Sequence, residues 1–86
     1  MMIDMFKALA DQNRLKIVKL LSNKPLCVCE IEKFLSLPQN LVSHHLSVLK
    51  EVKILEDCKC GKKNYYSLNK EAIKYFAKKI NDIGER

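Results

Sequence analysis

Residues that interrupt regular secondary structure are scarce in this 86-residue sequence, which contains only two glycines and two prolines. Such a composition leaves little room for long loops or a disordered tail. No apolar run approaches the roughly 18 residues needed to cross a bilayer. The N-terminal stretch has no basic segment followed by an apolar one, so it does not resemble a secretory signal. We therefore expect a single domain over residues 1–86 that is cytoplasmic and has no membrane partner.

A catalytic arrangement is also missing. His44 and His45 are adjacent, and on a helix their side chains would point about 100° apart, so they cannot hold one metal together. No serine, aspartate or glutamate lies at a spacing that indicates a catalytic triad or a carboxylate pair. We expect His45 to pack on a half-buried flank and His44 to lie on an exposed face. The sequence therefore does not indicate an enzyme.

Acidic residues are outnumbered by basic ones. Sixteen lysines and arginines against ten aspartates and glutamates give a formal net charge of +6. A small basic domain favours nucleic acid or an anionic membrane surface as its partner, although basic charge can also serve solubility alone. Because so short a chain buries only a thin core, we also expect a metal, a cross-link or a partner subunit to add stability.

The spacing of apolar residues predicts three helices over residues 11–52. Asp11 can cap the first helix and Pro25 stops it. A short helix over about residues 29–35 and a third over about 38–52 follow, separated by a tight turn. The core is expected to include the apolar faces of the first and third helices, which comprise Leu15, Ile17, Val18, Leu20, Leu21, Leu41, Val42, Leu46, Leu49 and Val52.

The pattern changes after the third helix. Residues 54–68 carry β-branched and aromatic residues on both sides of Gly61-Lys62, which predicts a β-hairpin with its turn at that dipeptide. Asn69 can cap a last helix. A helix-turn-helix followed by a basic hairpin is typical of a winged helix-turn-helix, a mainly α fold with a small β-hairpin.

The polar side of the third helix is the candidate DNA-reading surface. Its side chains are short hydrogen-bonding groups without an acidic residue, which suits the major groove. The basic hairpin tip can reach backbone phosphates. A plain solvated helix face, and a charged edge that blocks strand pairing, are the alternatives. The candidate DNA-binding residues are Gln39, Asn40, Ser43, His44, Ser47 and Lys50 on the helix, and Lys59, Lys62 and Lys63 on the hairpin.

Over nearly its full length the chain resembles the ArsR/SmtB family of metal-sensing winged-helix repressors. The matching stretches are FKALADQNRLKIVKLL (6–21), LCVCEI (26–31), LPQNLVSHHLSVLKE (37–51) and KKNYYSL (62–68). The resemblance implies a homodimer that binds double-stranded operator DNA and releases it when an inducing ion binds.

The same resemblance implies dimerisation through the N- and C-terminal helices, which agrees with a spare apolar face of Ile73, Phe76, Ile80 and Ile83 on the last helix. That helix contains no histidine, so the zinc site that some family members carry there is not expected. Ser36 and Lys53 stand where the family usually has glycines, which implies a left-handed backbone at both positions.

Cys27 and Cys29 match the CVC element through which the family binds soft ions. Thiolates select arsenite, antimonite, cadmium, lead, zinc or copper(I) over hard cations. The resemblance implies that the ion acts as inducer and is not required for DNA binding. Since helical positions i and i+2 lie about 200° apart, we expect ion binding to unwind the start of this helix. The alternative is that both cysteines are small buried apolar residues.

Cys58 and Cys60 are not a familiar ligand pair of the family. On a strand they share a face, so they can take one ion as an accessory pair or form a strained disulfide. We expect two separate pairs rather than one four-cysteine cage, with a cage shared between two chains left open. A thiol redox switch in which oxidation releases DNA, and a DNA-binding protein with purely structural cysteines, are the alternative functions.

Overall fold

The computed structural model describes residues 2–84, and side-chain exposure for residues 4–83. The predicted mainly α winged helix-turn-helix is confirmed, with one strand more than the hairpin supplies. In chain order the elements are α1 (Met2–Leu9), α2 (Gln12–Leu21), β1 (Leu26–Cys27), α3 (Val28–Leu35), α4 (Gln39–Glu51), β2 (Leu55–Cys60), β3 (Lys63–Leu68) and α5 (Lys70–Gly84).

Short polar side chains fix where the helices begin, as the sequence predicts. The Asp11 carboxylate accepts from the backbone N–H groups of Asn13 and Arg14, at 2.8 and 3.1 Å, and so caps α2. Asn69 accepts from the N–H of Ala72 at 3.2 Å and caps α5. These bonds satisfy donors that a helix start otherwise leaves without partners.

The turns adopt the expected left-handed backbone. Ser36 has a φ of 55° and Lys53 a φ of 70°, so both positions implied by the family glycines are left-handed although neither residue is glycine. Gly61, in the hairpin turn, has a φ of 66°. The sharp exit from α3 at Ser36 lets α4 begin only a few residues later.

The sheet has the order β1-β3-β2 and is antiparallel throughout. Glu56 lies opposite Ser67, the register that a Gly61-Lys62 turn requires. On the other side of β3, Cys27 pairs with Tyr65. This order leaves β2 at an edge of the sheet.

The core lies between the helices and one face of the sheet. Its fully buried members are Ile17, Ile31, Val42, Leu46, Leu49 and Ile54. Two predicted core residues are wrong, since Leu15 is 53% exposed and Leu41 is 43% exposed. Leu15 precedes buried Ile17 by two residues, about 200° around the helix, and Leu41 lies at the edge of the α4 stripe. Val52 is half-buried.

The two terminal helices meet through aromatic rings. Phe6 of α1 and Phe76 of α5 pack edge to face with their centroids 4.9 Å apart. Phe76 and Ile73 rest against the chain's own core, so only part of the α5 stripe is spare. That part includes Ile80 and Ile83, which are 43% and 56% exposed.

Met1 lies outside the described residues. Among residues 2–84 no helix is long and apolar enough to span a membrane.

Candidate DNA-binding surface and thiol site

The six predicted α4 residues share one exposed face of that helix. Gln39, Asn40, Ser43, His44, Ser47 and Lys50 are all exposed, whereas Val42, Leu46 and Leu49 on the opposite side are fully buried. Burial of that opposite side fixes the rotation of α4 and therefore decides which side chains face outwards. The arrangement presents a continuous polar stripe from the start of the helix to its last turn.

His45 holds the back of this helix, as the sequence predicts. Its ring is buried, and Nδ1 accepts from Nε of Arg14 at 3.2 Å. Arg14 also donates from Nη1 to the carbonyl of Ala8 at 3.2 Å. The imidazole thus connects α4 to α2 and, through Arg14, to α1. His45 is a packing residue, and His44 is the one that remains on the exposed stripe.

An ion pair connects the end of the stripe to the hairpin. The Lys50 ammonium lies 2.9 Å from Asp57 Oδ1, and Asn64 donates to Asp57 Oδ2 at 3.0 Å. The hydrogen bond from Asn64 and the charge of Lys50 lower the pKa of the Asp57 carboxyl. The hydrogen bond to Asp57 and its negative charge raise the pKa of Lys50. Sequence reasoning did not identify Asp57 or Asn64, because only the sheet register places them beside α4.

The lysines of the hairpin tip are exposed on both faces of the wing. Lys59 pairs with Asn64 in the register, and Lys63 pairs with Cys60, so the two lysines point to opposite faces. Lys62 occupies the turn between them. The tip therefore presents positive charge in several directions.

Cys27 and Cys29 converge without any unwinding of the helix. Cys27 is the residue that caps α3, with an extended backbone (φ −88°, ψ 166°), and only Cys29 lies within the helix. Their Sγ atoms are 2.7 Å apart, and both thiols are free. The expectation that ion binding must unwind this helix is wrong, because the 200° separation applies only when both residues are helical.

The two thiols differ in environment. Cys27 is 3% exposed, whereas Cys29 is exposed. The hydrogen bond between the two sulfurs and, secondarily, burial raise the pKa of the Cys27 thiol. Glu30 accepts from the backbone N–H of Cys27 at 3.0 Å, and this bond lowers the pKa of its carboxyl. At neutral pH Cys27 is therefore a protonated thiol and stands beside the ionised carboxylate of Glu30.

The pair opens into a cleft of about 260 Å³ that reaches α4 and the hairpin. Its walls include Glu32 of α3, Gln39 at the start of α4, and Lys63 and Asn64 of β3. Asn64 Oδ1 is buried and has no hydrogen-bond partner among the described residues. The thiols, the first residue of α4 and the wing thus border one space.

The second pair lies elsewhere on the sheet. Cys58 and Cys60 are exposed, free thiols on β2. Tyr65 pairs with Cys27 on one side and Cys58 on the other, so the two cysteines are two strand spacings, about 9.6 Å, apart at the backbone. Within the described part of the chain, no three His, Cys, Asp or Glu side chains come together in a way that could hold a metal. One chain therefore does not form a four-cysteine cage.

Comparison with known proteins agrees with this architecture. Residues 11–57 match a family model described as bacterial regulatory protein, arsR family. The chain is 38% identical over 81 residues to an uncharacterized HTH-type transcriptional regulator of Methanocaldococcus jannaschii, covering 93% of this chain and 91% of that one. It is 42% identical over 81 residues to the arsenical resistance operon repressor of Escherichia coli K12, covering 93% and 69%.

A solved structure shows the same fold. It is the solution NMR structure of a homodimeric winged helix-turn-helix DNA-binding domain from Mycobacterium bovis, described as a possible ArsR-family regulator. The match has a TM-score of 0.80 and 25% identity, over 96% of this chain and 77% of that one. The chain therefore belongs to the arsR family of bacterial regulatory proteins and is a DNA-binding winged helix-turn-helix regulator of transcription, not an enzyme.

Proposed function

We propose that the protein is a homodimeric repressor that binds operator DNA through α4 and the wing, and that releases it when a soft ion binds Cys27 and Cys29. One observation carries the proposal. Two thiols converge to 2.7 Å in a cleft whose other walls are the start of α4 and the wing strand β3. A change at the thiols therefore acts directly on both DNA-reading elements.

In this proposal α4 contacts the bases of the DNA and the wing contacts its phosphates. The stripe of α4 offers amide, hydroxyl and imidazole groups that can hydrogen-bond base edges in the major groove. Lys59, Lys62 and Lys63 offer charge that contacts phosphates without reading sequence. Lys50 is held by Asp57, so its role is to fix the angle between α4 and the wing in addition to any contact with DNA.

The two sulfurs lie close enough to share one ion. A tetrahedral ion with metal–sulfur bonds near 2.3 Å holds its thiolates about 3.8 Å apart, and small side-chain rotations of the pair reach this separation. Cys27 is buried and held by strand pairing with Tyr65, whereas Cys29 is exposed in the first turn of α3. Any adjustment to the ion therefore falls on Cys29 at the start of α3, which borders the same cleft as Gln39.

The site suits an ion that keeps further ligands besides the two thiolates. Candidate inducers are arsenite, antimonite, cadmium, lead, zinc and copper(I), all of which favour sulfur. The similarity to an arsenical resistance operon repressor supports arsenite as the first ion to test.

Dimerisation through α1 and α5 is supported by the surface of those helices. The Phe6–Phe76 contact joins them, and Tyr75, Ile80 and Ile83 leave apolar side chains exposed along α5. The homodimeric domain from Mycobacterium bovis supports the same state here. A two-fold dimer requires a pseudo-palindromic operator with half-sites about one helical turn apart.

The test is an operator titration with and without arsenite or cadmium. Coupling between two sites is typically about 1–3 kcal/mol, so the ion should weaken operator binding roughly 5- to 150-fold. Cys27→Ser/Cys29→Ser should bind the operator normally and lose this response. Cys58→Ser/Cys60→Ser is the matched control and should retain at least part of it. If the 27/29 variant still responds to the ions and the control does not, the sensor lies in the wing.

A redox switch is the second candidate, favoured by the same short distance. Peroxide can convert the two thiols to a disulfide with formation of two water molecules, and the sulfurs need to approach only from 2.7 Å to about 2.05 Å. The raised pKa of Cys27 opposes this route, since the thiolate is the reactive form. A redox switch would release DNA on oxidation without any metal, and reductant would restore binding. Purely structural cysteines would give neither response.

A further inference from the structure

The wing carries a pair of thiols that the proposed inducer site does not use. Cys58 and Cys60 are both exposed on β2, an edge strand. Residues two apart on a strand point to the same face. Cys58 Sγ lies 3.8 Å from the carbonyl oxygen of Lys59, a long and weak contact that leaves the sulfur free to reorient. The two thiols can therefore turn towards a common ligand.

Strand geometry decides what kind of ligand fits. The Cα atoms of residues two apart on a strand are separated by about 6.7 Å, at the upper limit for a disulfide. A tetrahedral ion would need the sulfurs about 3.8 Å apart, whereas a linear two-coordinate ion with similar bond lengths holds them about 4.6 Å apart. The wider spacing and parallel direction of these side chains favour the linear arrangement.

The charge of the ion–thiolate complex also favours a monovalent ion. A monovalent ion that binds two thiols displaces two protons, and the complex of one cation with two thiolates carries one negative charge. Lys63 pairs with Cys60 and so shares the face of the two thiols, and Lys62 lies in the adjoining turn; both are exposed and can stabilise this anion. A divalent ion would form a neutral complex with two thiolates and would gain nothing from the lysines.

We infer that Cys58 and Cys60 form a second soft-ion site, a linear bis-thiolate site for a monovalent d10 cation, with copper(I) as the ion. The site is separate from Cys27 and Cys29, because Tyr65 stands between the two pairs in the sheet. If the proposed contact between wing and DNA is right, occupancy lowers the charge of the wing by one unit and weakens its attraction to phosphate.

Copper binding without DNA tests this inference independently of the proposed function. The protein is titrated anaerobically with copper(I) held by a colorimetric chelator, and stoichiometry is read by native mass spectrometry. The first site is removed by Cys27→Ala/Cys29→Ser, because alanine keeps a small apolar side chain at buried position 27. We expect this variant to bind one copper per chain with loss of two protons. X-ray absorption should report two sulfur ligands.

A control variant keeps two thiols but changes their faces. In the same background, Lys59→Cys/Cys60→Ser places the cysteines at adjacent positions of β2, on opposite faces of the strand. Loss of chelation should weaken copper binding roughly 100-fold or more. Equal affinity in this control would overturn the inference. So would failure of the first variant to bind copper, or a site with three or more sulfurs contributed by two chains.

Discussion

The two Cys-x-Cys pairs have the same spacing in the sequence but differ in the backbone conformation between the two cysteines. Between Cys27 and Cys29 the backbone passes from a strand into a helix, and the sulfurs meet at 2.7 Å beside a cleft. Between Cys58 and Cys60 the backbone continues as one strand, so the thiols stay parallel and exposed. The secondary structure around a Cys-x-Cys pair, rather than its spacing, therefore sets the donor geometry.

The surroundings of the two pairs differ as much as their geometry. Glu30 and Glu32 stand near the first pair, and the lowered pKa of Glu30 keeps its carboxylate ionised at neutral pH. Lys63 shares the face of the second pair, and Lys62 lies in the adjoining turn. Anionic surroundings favour a more highly charged cation, and cationic surroundings favour a complex with negative charge. We therefore expect divalent ions to bind better at the first pair than at the second, and we propose a monovalent ion for the second.

The largest effect is expected from moving one thiol of the first pair. Val28→Cys/Cys29→Ser keeps two cysteines but places them at adjacent residues 27 and 28. The change of backbone direction that brings the side chains of residues 27 and 29 together then no longer acts on the two thiols. Loss of chelation should weaken cadmium binding roughly 100- to 10,000-fold. Isothermal titration under reducing conditions measures it, with Cys58→Ser/Cys60→Ser as the background. Unchanged affinity would show that cadmium binding depends on the number of thiols near the start of α3 and not on their positions.

Dimer disruption tests whether the first pair acts on DNA through a two-fold assembly. Ile80→Asp places an unpartnered charge in the proposed seam, at a cost of about 3 kcal/mol or roughly 150-fold in dimer affinity. Operator affinity should fall in parallel. Asn81→Asp adds the same charge one residue away, on the exposed side of α5, and serves as the control. Sedimentation that finds a stable dimer for Ile80→Asp would move the interface elsewhere.

Separate base and phosphate contacts should distinguish α4 from the wing. Ser43→Ala/His44→Ala should relax sequence preference, with a loss of about 1–3 kcal/mol on the specific operator. Lys62→Ala/Lys63→Ala should weaken binding to all sequences and reduce the slope of log K against log salt by about 2. Fluorescence anisotropy on specific and scrambled DNA at several salt concentrations measures both. If both variants lose only salt dependence, α4 does not read bases.

Acidity should weaken ion binding at the first pair. Because the folded pKa of Cys27 is raised, the ion must displace a proton at neutral pH, and affinity should rise about tenfold per pH unit for each proton released. Competition with a chromophoric chelator between pH 6 and 8 measures this slope. The pKa of Cys27 is higher in the folded chain than in the unfolded chain, so protonation of this thiol stabilises the fold. The stabilisation is fully present below the unfolded pKa near 9.0 and is lost as pH rises through the higher folded pKa. An affinity independent of pH would mean that the pair is already ionised.

The smallest effect is expected at the ion pair between α4 and the wing. Asp57→Asn should lower the free energy of unfolding only slightly, since Lys50 is half exposed and the pair is partly screened. The pKa of Asp57 is lowered in the fold, so this stability is present above its unfolded pKa and is lost as pH falls through the folded value. Urea unfolding at pH 7 and pH 3 measures both. Glu56→Gln on the opposite face of β2 is the control.

Local signals predicted much of the fold. The Asp11 and Asn69 caps, the Gly61-Lys62 turn and the apolar stripe of α4 are short-range features, and each gave the right element. Sequence also indicated the polar stripe, because the same periodicity that buries Leu46 exposes Ser43 and Ser47. It failed at the edges of apolar faces, where exposure of Leu15 and Leu41 depends on how far neighbouring helices extend.

Sequence by itself determined most of the elements, the basic character and the family of this protein, since these depend on local propensity, composition and motif. Only the tertiary structure decided how the cysteines are arranged and which strand Leu26–Cys27 pairs with. Strand pairing holds Cys27 extended as the residue that caps α3, which brings its sulfur to Cys29, and the register places Tyr65 between Cys27 and Cys58. Asp57 and Asn64 likewise reach Lys50 only through that register. Such contacts join residues far apart in the chain, so no local pattern encodes them.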